Sequence, residues 1–437
     1  MLNVADIRPF RGIHYQRSLL RDDWTRALCP VYDIISPQQQ EELYLKSDYD
    51  FVRLEAGRDL PQDTPADSRY SRAAATLAGW LKSGVLETDD RPAIYLHDQS
   101  FTHQGKRWRR RGIIVRTKLE EWESKVVRPH ESTLSEAKSD RLSLLWAVQA
   151  NTSPVLSLYE DKSGEVRSVL AAEAKRRPLL DLKTISGEAH RVWGITDEPT
   201  LGRLQALFAG KPVYIADGHH RYESALTYRR QRRAANGEGE QPFDFVMMTL
   251  VDFADPGLLI LPPHRLVRGL GRSALDELKA KLTAVFEVDD HSYSGPETLA
   301  ALEKSGGDAP VRLVVFGLSK DRVTVLRLAD PAKVASMMPY FHSDMYRRLE
   351  VSVIDHVVME NLLGLTRERE KTSLAYSYDR QDAVKRVLDG EYQLAFLLGP
   401  IKADVIRAIA DLGDKMPRKS TYFYPKVPAG LIVNRLV

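Results

Sequence analysis

The stretch "KPVYIADGHHRYESALTYRRQRRA", Lys211 to Ala234, leaves little freedom in how its own segment folds. An apolar run ends in Asp217 and Gly218 and passes at once into a pattern with Tyr222, Ala225 and Leu226 at i, i+3 and i+4, which predicts a strand, a tight turn and an amphipathic helix. A helix start presents backbone N–H groups without partners, and its dipole favours an anion there. Gly218 lets the backbone approach a ligand closely. Arg221 supplies a planar fork for phosphate or carboxylate, and His219 and His220 donate hydrogen bonds or move protons near neutral pH. Three roles stand open for Asp217: orienting a histidine, holding Mg²⁺, or accepting a hydroxyl proton. The plain alternative is that Asp217 caps the helix and the His-His-Arg run decorates a surface. Adjacent histidines without a His-Glu-x-x-His pattern argue against zinc.

The rest of the chain sets the frame. Its 437 residues exceed one ordinary core, so two or three domains are expected. We place them at 1–165 (α+β with a β-hairpin), 166–272 (the module with the turn) and 273–437 (α/β), a mixed α/β class. The 63 Lys and Arg nearly balance 60 Asp and Glu, which gives no support for a nucleic-acid partner or an anionic membrane. A single cysteine, Cys29, excludes a disulfide framework and fits a cytoplasmic setting. The N-terminal stretch is too charged for a signal peptide, and no apolar run reaches membrane-spanning length. "AIYLHDQSFTHQGKRWRRRGIIVRTKLEEW" predicts a hairpin about Gly105, its arginines on a solvated strand face. Leu142, Leu145, Trp146 and Gln149 predict a helix, "TSPVLSLYED" and "FDFVMMTLVDF" strands, and "NGEGEQ" a helix-to-strand loop.

"YIADGHHRYESAL" resembles the strand-turn-helix signature of ParB/sulfiredoxin-like nucleotide-binding domains, and most closely its Asp-Gly-His-His-Arg form in archaeal ADP-dependent free-serine kinases. With "IRPFRGIHY", "CPVYDIIS", "RPHESTLSEAKSDRLSLL", "GLLILPPHRLV" and "MPRKSTYFYPK", the chain resembles over nearly its full length DUF1015, a bacterial and archaeal family of unknown function. The kinase resemblance implies a nucleotide, ATP or ADP with Mg²⁺, whose phosphates are surrounded by Asp217 to Arg221, with Asp217 near the transferred group. It also implies a glutamate toward the acceptor hydroxyl, for which Glu55, Glu131 and Glu223 are candidates.

Other clusters join this reading. His130 and Glu131 are candidate catalytic residues and Asp140 and Arg141 follow, although capping and salt bridging account for them equally well. His264 and Arg265 sit beyond two prolines that stiffen the backbone, which suits a phosphate site or an exposed turn. "GDKMPRKS" departs from a P-loop, since Arg418 stands at the second glycine, yet Lys419 and Lys426 remain candidate anion contacts. No dinucleotide fingerprint or nucleophile elbow is present. The expected function is a nucleotide-dependent small-molecule kinase, acting on free serine or a similar hydroxyl metabolite. The alternatives are a ParB-like nucleotide-binding regulator and a histidine-dependent phosphatase. One turn offers phosphate contacts but no acceptor pocket, so a cleft shared with His130 and Glu131 is expected.

Overall fold

The computed structural model describes residues 5–18, 26–184, 186–236, 239–304, 311–319, 322–328 and 330–437. Residues 19–25 of the N-terminal stretch and 237–238 of the "NGEGEQ" loop lie outside them. The chain is mixed α/β, and its contacts group it into two units: Met1–Pro129 with Thr133–Leu259 and Phe423–Val437, and His130–Ser132 with Ile260–Tyr422. Composition placed boundaries after residues 165 and 272; the contacts place the main one after 259.

In the first unit the strands are β1 (Ile7–Arg8), β2 (Ile13–Tyr15), β3 (Leu86–Thr88), β4 (Ile94–His103), β5 (Lys106–Lys118), β6 (Val127–Arg128), β7 (Ala150–Asn151), β8 (Val155–Tyr159), β9 (Leu180–Lys183), β10 (Ala189–Ile195), β11 (Val213–Asp217) and β12 (Phe245–Asp252). Its α-helices are α1 (Pro37–Lys46), α2 (Val52–Glu55), α3 (Arg69–Lys82), α4 (Ser135–Val148), α5 (Glu165–Glu173), α6 (Glu198–Phe208) and α7 (His219–Asn236). Nine strands form one sheet in the order β6-β11-β8-β12-β5-β4-β10-β9, with β1 also on β5.

Strand periodicity explains how this sheet is covered on both faces. Ile94, Leu96, Ile113, Val115, Val246 and Met248 point into one core, together with Tyr222, Ala225 and Leu226 of α7. Their neighbours Tyr95, Ile114 and Met247 point into the other, with Ala73, Leu77 and Trp80 of α3. A strand buried on both faces reads as a largely apolar run, and all eight residues of β12, FVMMTLVD, are buried.

The expected hairpin is β4 paired antiparallel to β5, with Gln104 and Gly105 both at positive φ in its two-residue turn. Its arginines do not all lie on a solvated face. Lys106, Arg107 and Arg109 are exposed, but Arg110 is buried and bonds Gln99 and the Pro425 carbonyl, and Arg111 pairs with Asp98 at 2.7 Å. The partners that make burial tolerable come from β4 and from the far C-terminal segment, which local alternation does not reveal.

The strands flanking α7 are not parallel neighbours. β8 lies between them, antiparallel to β11 and parallel to β12. The second unit is built on a six-stranded antiparallel sheet in the order Glu287–Ser292, Arg322–Leu328, Val311–Phe316, Leu394–Leu397, His264–Val267, Leu374–Ser377. Helix Arg272–Val285 buries Leu278, Leu282 and Val285, and helix Ala403–Asp411 buries Ile406, Ile409 and Ala410. Val353–Leu362 is wound in the wider i→i+5 form, as in Leu363 N–H to Val358 O at 2.9 Å.

Candidate functional site

β11 ends at Asp217, Gly218 turns the chain, and α7 begins at His219 and runs 18 residues. The helix is fixed by its apolar face: Tyr222, Ala225 and Leu226 are buried as the spacing predicts, each large side chain contributing about 1.5–3 kcal/mol. Tyr222 adds two hydrogen bonds at its hydroxyl, donating to Glu120 O at 2.8 Å and accepting from Glu120 N at 2.9 Å. The polar groups are thereby held at the N-terminal tip.

Gly218 is required there twice over. Its φ of +94° is a conformation that side chains rarely adopt, and a Cβ would sit 2.8 Å from Arg221 Nε. The Arg221 guanidinium therefore folds back over its own helix start. Its Nη2 donates to Asp217 Oδ2 at 2.7 Å and its Nη1 to the Pro154 carbonyl. Nε is buried without an acceptor among the described residues.

The other Asp217 oxygen accepts from Lys426 Nζ, 209 positions away in sequence, and Lys426 also lies 3.7 Å from Asp33. Burial alone would raise the Asp217 carboxyl, but Lys426 and Arg221 outweigh it and hold the group below the ordinary carboxylate range. Asp217 is thus a permanent anion clasped by two cations, with side chains only 10–15% exposed. This corrects its expected metal role, since both oxygens are engaged by cations and no cluster of three or more metal-ligating side chains exists among the described residues. The donor set does not suit a protein-held Mg²⁺.

Around this clasp the remaining residues are tied into the unit. His219 is buried, and His220 Nε2 accepts the Leu134 amide at 2.9 Å, which places its proton on Nδ1. Glu223 accepts from Thr133 Oγ1 at 2.6 Å and pairs with Lys138 at 2.9 Å, binding α7 to α4. Glu55 is buried and accepts from Thr152 Oγ1, Ser153 Oγ and the Tyr32 amide.

The other candidates belong to the second unit. His130 is buried with Nε2 3.0 Å from Thr421 Oγ1, and Glu131 accepts the amides of Ser420 and Thr421 at 3.1 and 3.3 Å, the pattern of a loop anchor. His264 is buried and accepts the Leu398 amide at 3.0 Å; burial, then Arg380 and Arg265, push it down to about 3. Arg265, fully buried, forks onto Asp355 with both contacts at 3.1 Å. These two are core residues, neither an exposed turn nor accessible anion contacts as they stand. Lys419 is exposed.

Of the sequence-predicted residues, the structure therefore brings Asp217, Gly218, His219, His220, Arg221 and Lys426 together. Sequence reasoning missed Tyr32 and Asp33 of "CPVYDIIS" and Arg110. Tyr32 is pushed up to about 12 by burial, with Arg221 and Arg141 pulling the other way.

A mixed α/β chain with a charged strand-turn-helix junction is the class this geometry defines. By the match of its family model to residues 7–355, the chain belongs to the DUF1015 family, described as proteins of unknown function. No curated protein matches it significantly. Among solved structures it is similar to a conserved hypothetical protein from Pyrococcus furiosus, at 13% identity over 73% of this chain and 93% of that one, TM-score 0.35. It is similar to a free serine kinase in complex with AMP, at 12% identity over 73% and 92%, TM-score 0.35. SbnI from Staphylococcus aureus, truncated at its C-terminus, is similar at 8% identity over 72% and 84%, TM-score 0.33.

Proposed function

We propose that this chain is a nucleotide-dependent phosphotransferase whose phosphate site is the Asp217 to Arg221 turn, and that it phosphorylates the hydroxyl of a small metabolite such as free serine. One observation carries the reading: the start of an 18-residue helix is flanked by Arg221 and Lys426, both oriented by one carboxylate, and Arg221 keeps a buried Nε–H without an acceptor among the described residues. A buried donor left unpaired costs about 1–3 kcal/mol, which a phosphate oxygen would offset. Helix N–H groups, a fork and a point charge together neutralise a polyphosphate. In the transfer, a bond forms from the acceptor oxygen to the terminal phosphorus and the bond to the nucleotide's bridging oxygen breaks. The hydroxyl proton passes to solvent or a base, and the nucleotide departs one phosphate shorter.

A second reading has its own observation. Asp217, permanently ionised and engaged at both oxygens, is a weak proton acceptor, which favours a module that binds nucleotide without transfer. His220, whose Nε2 accepts a backbone amide, lends no support to a histidine phosphatase. Incubation with ATP or ADP and a panel of hydroxyl metabolites, read by mass spectrometry, separates the two. Phosphorylated acceptor with stoichiometric loss of nucleotide phosphate supports the kinase. Saturable binding with unchanged nucleotide and acceptor supports the second reading and overturns the first.

A further inference from the structure

A pocket of about 190 Å³ lies within the first unit, lined among others by Tyr32, Glu55, Arg69, Tyr70, Asp140 and Arg141. It falls below the roughly 300 Å³ at which drug-sized pockets begin, so it suits a metabolite smaller than a nucleotide. Its walls carry two cations and two anions. Arg69 Nη2 and the Tyr70 hydroxyl both bond Asp140 Oδ1, at 2.6 and 2.8 Å, and Arg141 Nε bonds Asp140 Oδ2 at 2.7 Å. Arg141 Nη1 also donates to the Glu55 carbonyl at 2.9 Å, and its guanidinium stacks 3.9 Å from the Tyr32 ring centre.

The lining is balanced in charge but not uniform, with donors on Arg69, Arg141 and Tyr70 and an acceptor on Asp140, the Glu55 carboxylate being held within the wall. A monoanion or monocation would leave one set facing a like charge, whereas a small zwitterion meets both. No turn residue lines the pocket, but the two are linked through the segment Thr152–Pro154. Glu55 is held by Thr152 and Ser153, and the next residue, Pro154, offers its carbonyl to Arg221. Tyr32 lies within electrostatic reach of both Arg141 and Arg221.

We infer that this pocket is the acceptor subsite, and that it takes a small zwitterion bearing a hydroxyl, with its carboxylate toward Arg69 and Arg141 and its ammonium toward Asp140. This rests on the phosphotransferase reading for the word acceptor, but the binding itself does not. The test is calorimetric titration of the full chain with L-serine, ethanolamine (no carboxylate) and glycolate (no amine), alongside a separate titration with ADP. Expected is saturable binding of L-serine, at least tenfold weaker binding of both truncated probes, and at least tenfold loss in Arg69→Gln with ADP affinity unchanged. Tyr70→Phe, which removes one hydroxyl, guards against misfolding of the first variant and should weaken L-serine several-fold without lowering the melting temperature. Equal affinity for all three probes, no binding of L-serine, or L-serine affinity indifferent to both variants overturns the pocket assignment. Absence of ADP binding with L-serine binding intact overturns the phosphotransferase reading and leaves the zwitterion pocket standing.

Discussion

Asp217 concentrates the energetics of the site in one carboxylate. Two cations with largely buried side chains, Lys426 and Arg221, share it, so removing its charge leaves them only Asp33, 3.7 Å from Lys426, as a near anion among the described residues. Asp217→Asn should therefore lower unfolding free energy by about 2–4 kcal/mol, measured by denaturant titration. An unchanged midpoint would show that the clasp is not a structural element. Gly218 gives a second test of the same geometry. Gly218→Ala adds a Cβ both at positive φ and against the Arg221 guanidinium, so a loss of about 1–3 kcal/mol is expected, with displaced Arg221 visible in the variant's crystal structure. Most of the turn was legible because strand, Asp-Gly and helix are consecutive. Lys426 was named as an anion contact for another reason, its nearness to a failed P-loop, and nothing local indicates that it meets Asp217. Arg110 was misread because alternation shows which face a side chain takes, not whether a distant carbonyl awaits it.

At the scale of elements, α7 is held by an apolar face whose spacing was plain in the sequence. Leu226→Ala, at a buried position of that face, should cost about 2–5 kcal/mol in denaturant unfolding, the range of buried leucine truncations. A loss below about 1 kcal/mol would mean the helix is anchored by its polar ties instead. Those ties, Glu223 to Thr133 and Lys138 and His220 to Leu134, join α7 to α4 and its N-terminal approach. The sheet order was not legible. β8 intervenes between the two strands flanking α7, and such insertion depends on pairing across 56 residues (Tyr214 with Leu158) and 93 residues (Met248 with Val155), which periodicity does not encode.

Over the whole molecule, buried neutral histidines set the response to acid. Burial, with neighbouring positive charge, holds His97 and His264 below the ordinary histidine range, and burial does the same for His190 against the pull of Glu188. Because the unfolded chain binds these protons first, their stabilisation is complete above about pH 6.5 and is lost as pH falls toward the folded values. For His264, pushed down to about 3, the loss at pH 5 amounts to roughly 2 kcal/mol. His264→Asn keeps an acceptor for the Leu398 amide but cannot titrate, so its unfolding free energy should change less between pH 7 and pH 5 by about that amount. An identical pH dependence in both proteins would refute the assignment.

The central claim is that the Asp217 to Arg221 turn, with Lys426, receives nucleotide phosphate, and calorimetric titration with ADP and ATP tests it most directly. Predicted is saturable binding to the unaltered chain, weakened at least tenfold, about 1.4 kcal/mol, in both Arg221→Met and Lys426→Met variants that retain their fold by circular dichroism. Absence of binding to any nucleotide, or undiminished binding in both folded variants, would contradict it.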